Sequence, residues 1–372
     1  MKYRNEYTKG LTAPSRYNPN DFTATGAAVF YIVMLLAFFA LPYILRATGF
    51  VAFISEAANG DSYLILCVYA VISQAFILAF SLVFCVINGV NPVRGGGYEN
   101  RFDFTPILFG CALVVGVQIC FSPLHMEFAK SASFGTGGAA IDPENLSGNP
   151  LWVILYLYLT VLLPCVCEEI AFRGIIMRGL SRFGFFASVT LSAAMFALFH
   201  GNFNQLILQF LGGVAIGACV YVTKNFAVGA AMHFFNNLFA YAFAVFAEVS
   251  SSVGVGNVVT AFSVPAGVIM LLVGCYYFAN FLMRKSAIEN GKRRKPVPVL
   301  ISAESRVKTS SIIIDASQVK EFRKYYPDAM RYSRGGFVSL NRERKSAVLP
   351  VVLLSAGVFL ALAVVVLDQF GI

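Results

Sequence analysis

Residues 151–178 read LWVILYLYLTVLLPCVCEEIAFRGIIMR, an apolar stretch that carries two adjacent glutamates, Glu168 and Glu169. Its length fits a membrane-spanning helix, which needs roughly 20 mostly apolar residues. A charged side chain near the centre of a bilayer costs about 2.5 to 3.5 kcal/mol on insertion scales. The pair therefore indicates a functional site inside a membrane segment.

The composition is that of an integral membrane protein. The chain has 372 residues, of which 58% are hydrophobic and 13% charged, whereas soluble chains carry about 25% charged residues. No signal peptide is expected, because the first 25 residues are polar. The fold class is all-α, a polytopic bundle of about 8–9 spanning helices. Its nine candidate segments are 27–46, 63–88, 105–123, 151–178, 185–201, 205–222, 226–247, 258–283 and 347–369.

Charges in the loops predict the orientation of the bundle. Basic residues occur in alternate loops, and short cytoplasmic loops are enriched in Lys and Arg. This predicts a cytoplasmic N-terminus and a C-terminus on the outer side. The membrane is expected to be the cell membrane. Segment 284–345 holds 16 Lys and Arg against 6 Asp and Glu, a net charge of +10 beside +9 for the whole chain. Its basic residues indicate a cytoplasmic segment near anionic lipid and not nucleic-acid binding; a docking platform for a protein partner is the alternative.

These patterns divide the chain into six parts. They are a polar cytoplasmic tail (1–26), three N-terminal membrane helices (27–149), a candidate catalytic core that contains Glu168 and Glu169 (150–247), an additional membrane helix (248–283), the basic cytoplasmic segment (284–346) and a C-terminal membrane helix (347–372). The eight cysteines lie in apolar segments without metal-finger spacing, so they are interpreted as small membrane-helix residues.

The acidic pair is expected to divide into two roles. Successive helical residues diverge by about 100°, so the two carboxylates point in different directions. Glu169 and Arg173 are spaced i, i+4 with the acid first, the favourable order for an ion pair. Glu168 has no such partner, and desolvation makes an unpaired carboxylate a better proton acceptor. Pro164 should kink the helix and free a backbone carbonyl before the pair. Alternatively, both acids lie in water at the cytoplasmic helix end.

Two further apolar segments contribute polar groups. His200 ends an apolar run, with Phe196 one turn before it, and His233 and Asn237 share a helix face at i, i+4. Each alone would be typical of helix packing through hydrogen bonds. Three successive segments that each present such groups favour a common site. The third histidine, His125, is expected in an outer loop and is treated as incidental.

One carboxylate and two imidazoles allow two hydrolytic mechanisms. Glu168 can act as a base on a water held by His200, with His233 and Asn237 donating hydrogen bonds to the oxyanion. Alternatively, Glu168, His200 and His233 can ligate zinc and leave one position for water. A conventional zincin is excluded, because the chain has no His-Glu-x-x-His stretch. The sequence leaves both mechanisms open.

The ordered motifs resemble a known family. Glu168-Glu169-x-x-x-Arg173, Phe196-x-x-x-His200 and His233-x-x-x-Asn237, separated by about thirty residues, are similar to the three motifs of the CAAX protease and bacteriocin-processing intramembrane endopeptidases. The resemblance covers about residues 150–240. It implies that Glu168 activates water, that His200, His233 and Asn237 complete the site, and that Glu169 and Arg173 support it. No cofactor is favoured, although zinc is possible.

The function expected from the sequence is therefore endopeptidase activity inside the membrane. The resemblance implies that the substrate is a peptide or membrane protein cleaved near its C-terminus or in a leader peptide. A proton-coupled transporter is the alternative function, since chains of acidic residues and histidines also relay protons. However, the inverted repeats typical of transporters are not apparent in the sequence. A third hypothesis is an inactive membrane scaffold. The predicted topology places Glu168 in the inner half of its helix and His200 near the outer end of the next helix. The two side chains therefore meet only if the helix of Glu168 extends to about residue 181 and the next helix is short or tilted.

Overall fold

The protein is an all-helical bundle. The structure, a computed structural model, describes residues 22–90, 103–131, 150–202, 205–252, 254–293 and 348–370, and within these ranges no strand occurs. The first 21 residues and most of the basic segment lie outside the described residues. The helices are α1 (Ala24–Ala47), α2 (Phe50–Ala57), α3 (Ser62–Ile87), α4 (Phe104–Ser131), α5 (Pro150–Glu168), α6 (Phe185–Phe199), α7 (Leu206–Thr223), α8 (Phe226–Ser252), α9 (Gly256–Arg293) and α10 (Val348–Phe370).

Each of the nine apolar segments coincides with a helix, which confirms the predicted fold class. Within the described ranges, six helical stretches are long and apolar enough to cross a membrane, and two shorter apolar ones, Phe185–Phe199 and Leu349–Val364, accompany them. The short helix α2 was not expected, and α9 continues to Arg293, past the boundary predicted at residue 283. The orientation of the bundle stays a prediction.

The helix that carries the acidic pair changes its winding at that pair. Helix α5 ends at Glu168 and continues as a π-helix, Glu169–Met177, then as one α turn, Arg178–Leu180, and one 3₁₀ turn, Ser181–Phe183. Such widened turns occur frequently at functional sites. The continuous helical path to Phe183 and the short α6 match the arrangement that a meeting of Glu168 and His200 was expected to require.

Two apolar clusters pack on the π-helix. The first joins it to α1, α3 and α6 and includes Phe172 and Phe196; the second lies around α4, α7 and α8 and includes Met177 and Met232. Polar groups tie the same elements together: Tyr31 donates from its hydroxyl to the carbonyl of Met195 at 3.1 Å. The π-helix is therefore enclosed by helices from both halves of the bundle.

Glycines allow α4 and α9 to pack backbone to backbone. A Cβ on Gly116 would lie 2.5 Å from the backbone nitrogen of Leu271 and 2.8 Å from the carbonyl oxygen of Gly267. Small residues permit such close approach between membrane helices, where van der Waals packing drives association. At Gly217 in α7, a Cβ would meet only Met177 and Val189 side chains at 3.5 Å, an ordinary contact.

Gly116→Ala is expected to destabilise the protein, whereas Gly217→Ala should be neutral or stabilising. Overpacking against backbone costs about 1–3 kcal/mol, while alanine in a helix is favoured over glycine by up to about 1 kcal/mol. Thermal unfolding of the two purified variants in one detergent measures the difference. Equal unfolding temperatures would contradict the close packing of α4 on α9.

Candidate active site

The two glutamates are buried at the junction between α5 and the π-helix. Glu168 is 6% exposed and Glu169 is fully buried at 0%. The alternative that both acids lie in water at a helix end is therefore wrong. Burial of a carboxylate is costly unless it is paired or hydrogen-bonded, so the partners of each oxygen indicate what each residue can do.

Glu169 is held by two cationic or hydrogen-bonding partners. Its Oε1 lies 2.9 Å from Nη1 of Arg173 and 2.9 Å from Nδ1 of His233. The ion pair expected from the i, i+4 spacing is thus present, and it is almost fully shielded from solvent. His233 adds a second partner, from α8, that the spacing did not indicate.

Arg173 links the acidic pair to α6 and α7. Its guanidinium carbon lies 4.5 Å from the centre of the Phe196 ring, and its Nη2 lies 3.5 Å from the carbonyl oxygen of Gly213. A guanidinium over an aromatic face is stabilised by the ring quadrupole, more strongly when it is desolvated. This contact gives Phe196 a physical role in the second motif.

His233 lies between the two carboxylates. An ionised carboxylate only accepts hydrogen bonds, so Nδ1 of His233 carries the hydrogen that it donates to Oε1 of Glu169. In the neutral ring, Nε2 then presents a lone pair. That atom lies 3.7 Å from Oε2 of Glu168, too far for a direct hydrogen bond.

His200 lies beside them at the end of α6. Its Nδ1 is 2.8 Å from the carbonyl oxygen of Phe196, and its ring meets the Phe196 ring edge-on, with centroids 4.7 Å apart. It interacts electrostatically with Glu168 and His233. Helix α6 ends here because Gly201 adopts a left-handed conformation with φ 65°. A Cβ at Gly201 would also lie 2.9 Å from the Phe39 ring, so the position favours glycine.

Asn237 makes two hydrogen bonds within the protein, and its role at the oxyanion stays a prediction. Its Nδ2 donates to the carbonyl oxygen of Thr160 at 3.4 Å, and its Oδ1 accepts from Asn236 at 3.3 Å. Pro164 has no backbone N–H, so the carbonyl four residues earlier, that of Thr160, lacks its helical partner. The freed carbonyl expected from Pro164 is therefore the group that Asn237 bonds.

The sequence patterns did not identify two glutamines that contact residues of the site. Nε2 of Gln74 in α3 donates to Oε1 of Glu168 at 2.9 Å, and Nε2 of Gln118 in α4 donates to Oδ1 of Asn236 at 2.7 Å. Each is the one amide side chain in its apolar helix. That isolation is the signal that could have identified them, because a buried amide requires a partner.

The zinc alternative has mixed geometric support. Both histidines use Nδ1 for a protein contact and leave Nε2 for another partner, as metal-ligating histidines do. However, among the described residues no group of three His, Cys, Asp or Glu side chains is arranged to hold a metal ion. Metal dependence is therefore a question for experiment.

The fold and these contacts define a class, a polytopic helical membrane protein with a buried acid and histidine site. Residues 150–239 match the family described as Type II CAAX prenyl endopeptidase Rce1-like. The match confirms the resemblance to the CAAX protease and bacteriocin-processing endopeptidases over about a quarter of the chain. Searches of curated proteins and of solved structures each found no match.

Arg173→Met is expected to destabilise the protein strongly. It leaves the Glu169 carboxylate buried without its cation, and breaking a buried pair from one side costs about 3–5 kcal/mol. Arg46→Met, at an exposed position in the last turn of α1, should leave the unfolding temperature nearly unchanged. Thermal unfolding of both variants measures this, and an equally small effect at Arg173 would contradict the ion pair.

Proposed function

We propose that the chain is an endopeptidase that hydrolyses peptide bonds inside the membrane, with Glu168 as the base. The family match supports a CAAX-type intramembrane protease. The observation that carries the finer proposal is the 3.7 Å separation between Oε2 of Glu168 and Nε2 of His233. Two acceptor atoms at that distance suit one water that donates a hydrogen to each.

In this mechanism, the water attacks the scissile carbonyl carbon while one of its protons passes to Oε2 of Glu168. The C–O bond forms, the carbonyl oxygen becomes an oxyanion, and the protonated Glu168 then gives its proton to the leaving amine as the C–N bond breaks. Because Nδ1 of His233 is engaged by Glu169, the ring cannot turn its Nε2 away without losing a buried hydrogen bond. His233 therefore orients the water.

His200 and Asn237 complete the proposed site from two other helices. The Nδ1 contact with Phe196 leaves Nε2 of His200 for the substrate. Nδ2 of Asn237 donates to the Thr160 carbonyl through a long bond of 3.4 Å, and in the proposed mechanism it donates to the oxyanion instead. Glu169, Arg173 and Phe196 act as supports that fix His233 and the π-helix.

The proposed substrate is a peptide or membrane protein that enters from the bilayer or the cytoplasm, with the enzyme in the cell membrane. A prenylated C-terminal peptide is the first probe, since the matching family is described as prenyl endopeptidases. The basic segment 284–345 is proposed as a topology determinant, with docking of a protein partner as the alternative.

Glu168→Gln is expected to lower the rate of peptide hydrolysis by about 10²- to 10⁴-fold, the usual contribution of a general base. The measurement is product release from a quenched fluorescent peptide, with and without a prenyl group, by purified protein in liposomes. Glu56→Gln removes an exposed carboxylate in α2 and serves as the control. Full turnover by a folded Glu168→Gln protein would contradict Glu168 as the base, whereas absence of hydrolysis by the unmodified protein would leave a transporter or scaffold.

The metal-independent mechanism predicts that chelators leave the rate within about twofold of its original value, because no step requires a Lewis acid. The same liposome assay, run after dialysis against a strong zinc chelator, measures this. Loss of turnover that added zinc restores would select the alternative in which Glu168, His200 and His233 bind the metal.

A further inference from the structure

The two oxygens of Glu168 lie in different surroundings. Oε1 accepts a hydrogen bond from Nε2 of Gln74 at 2.9 Å. Oε2 has no hydrogen-bond partner among the described residues and is the oxygen that faces Nε2 of His233. One oxygen is thus anchored, and the other is directed at the place where the proposed water binds.

Gln74 differs from the other polar side chains of α3. The hydroxyls of Ser73 and Ser81 bond to carbonyls within their own helix, those of Ala70 and Ile77. The amide of Gln74 instead reaches another helix, and its own Oε1 is buried without a hydrogen-bond partner within the described structure. An amide left half satisfied costs stability, so a purely structural reason for glutamine at this position is weak.

A neutral donor suits a base better than a cation does. Glu169 has Arg173 as a charged partner, an ion pair that suits a support. Gln74 fixes the plane of the Glu168 carboxylate through a charge-assisted hydrogen bond without adding a positive charge that would oppose proton uptake. The difference in partner charge matches the difference in proposed role.

We propose that Gln74 is a positioning residue that holds the carboxylate of Glu168 so that Oε2 faces the reacting water. This inference rests on the proposed function. It also extends the site beyond the segment that matches the family, since Gln74 lies in α3 and the match begins at residue 150. The complete site then needs α3, which lies outside the matched segment, as well as the helices within it.

The test is Gln74→Met, which keeps the length of the side chain and removes the donor, measured in the liposome peptide assay. We expect kcat to fall by up to about 100-fold, the cost of misplacing a reacting group by about 1 Å, while KM stays within about twofold. Ser73→Ala, one residue away on the same helix, should keep both values.

A second buried hydrogen bond controls for general loss of packing. Tyr31→Phe also removes a hydrogen bond between helices, the one to the carbonyl of Met195. If the two variants lose similar thermal stability and only Gln74→Met loses kcat, positioning is supported. Unchanged kcat in Gln74→Met, or an equal loss in both variants, overturns this inference alone. Absence of hydrolysis by the unmodified protein would instead overturn the proposed function, and this inference with it.

Discussion

A single carboxylate oxygen, Oε1 of Glu169, connects the parts of this site. It forms an ion pair with Nη1 of Arg173 in its own helix and a hydrogen bond with Nδ1 of His233 in α8, each at 2.9 Å, while Arg173 in turn lies over Phe196 of α6. In a low-dielectric interior such contacts are strong, and an unmatched member is costly. The π-helix, α6 and α8 are therefore fixed relative to one another by one buried charge.

Two adjacent glutamates obtain opposite environments from this arrangement. Glu169 opens the π-helix and is enclosed by charged and aromatic partners, whereas Glu168 closes α5 and is bonded by the neutral amide of Gln74. Neighbouring helical residues point in different directions. The carboxylate of Glu169 can therefore orient the His233 ring while the carboxylate of Glu168 faces that ring. Pairs of groups with separated environments are the usual basis for assigning acid and base roles.

The sequence predicted the apolar segments and the Glu169 and Arg173 pair, because both depend on local spacing. It could not predict the π-helix, whose residues pack on α1, α6 and α7. The contacts of Gln74 with Glu168 and of Gln118 with Asn236 join residues 94 and 118 positions apart. No local period in the sequence encodes such pairs. The bond of Asn237 to the Thr160 carbonyl, which Pro164 frees, is likewise visible only once both helices are placed.

The central claim is that Glu169 holds His233 with a hydrogen on Nδ1 and a bare Nε2 directed at Glu168. Nitrogen-15 NMR of the histidine rings tests it most directly, since the chain has only three histidines and the His233 signals can be assigned with His200→Ala and His125→Ala variants. We predict a His233 ring with a hydrogen on Nδ1 and none on Nε2. A ring protonated at Nε2, or at both nitrogens, would contradict it.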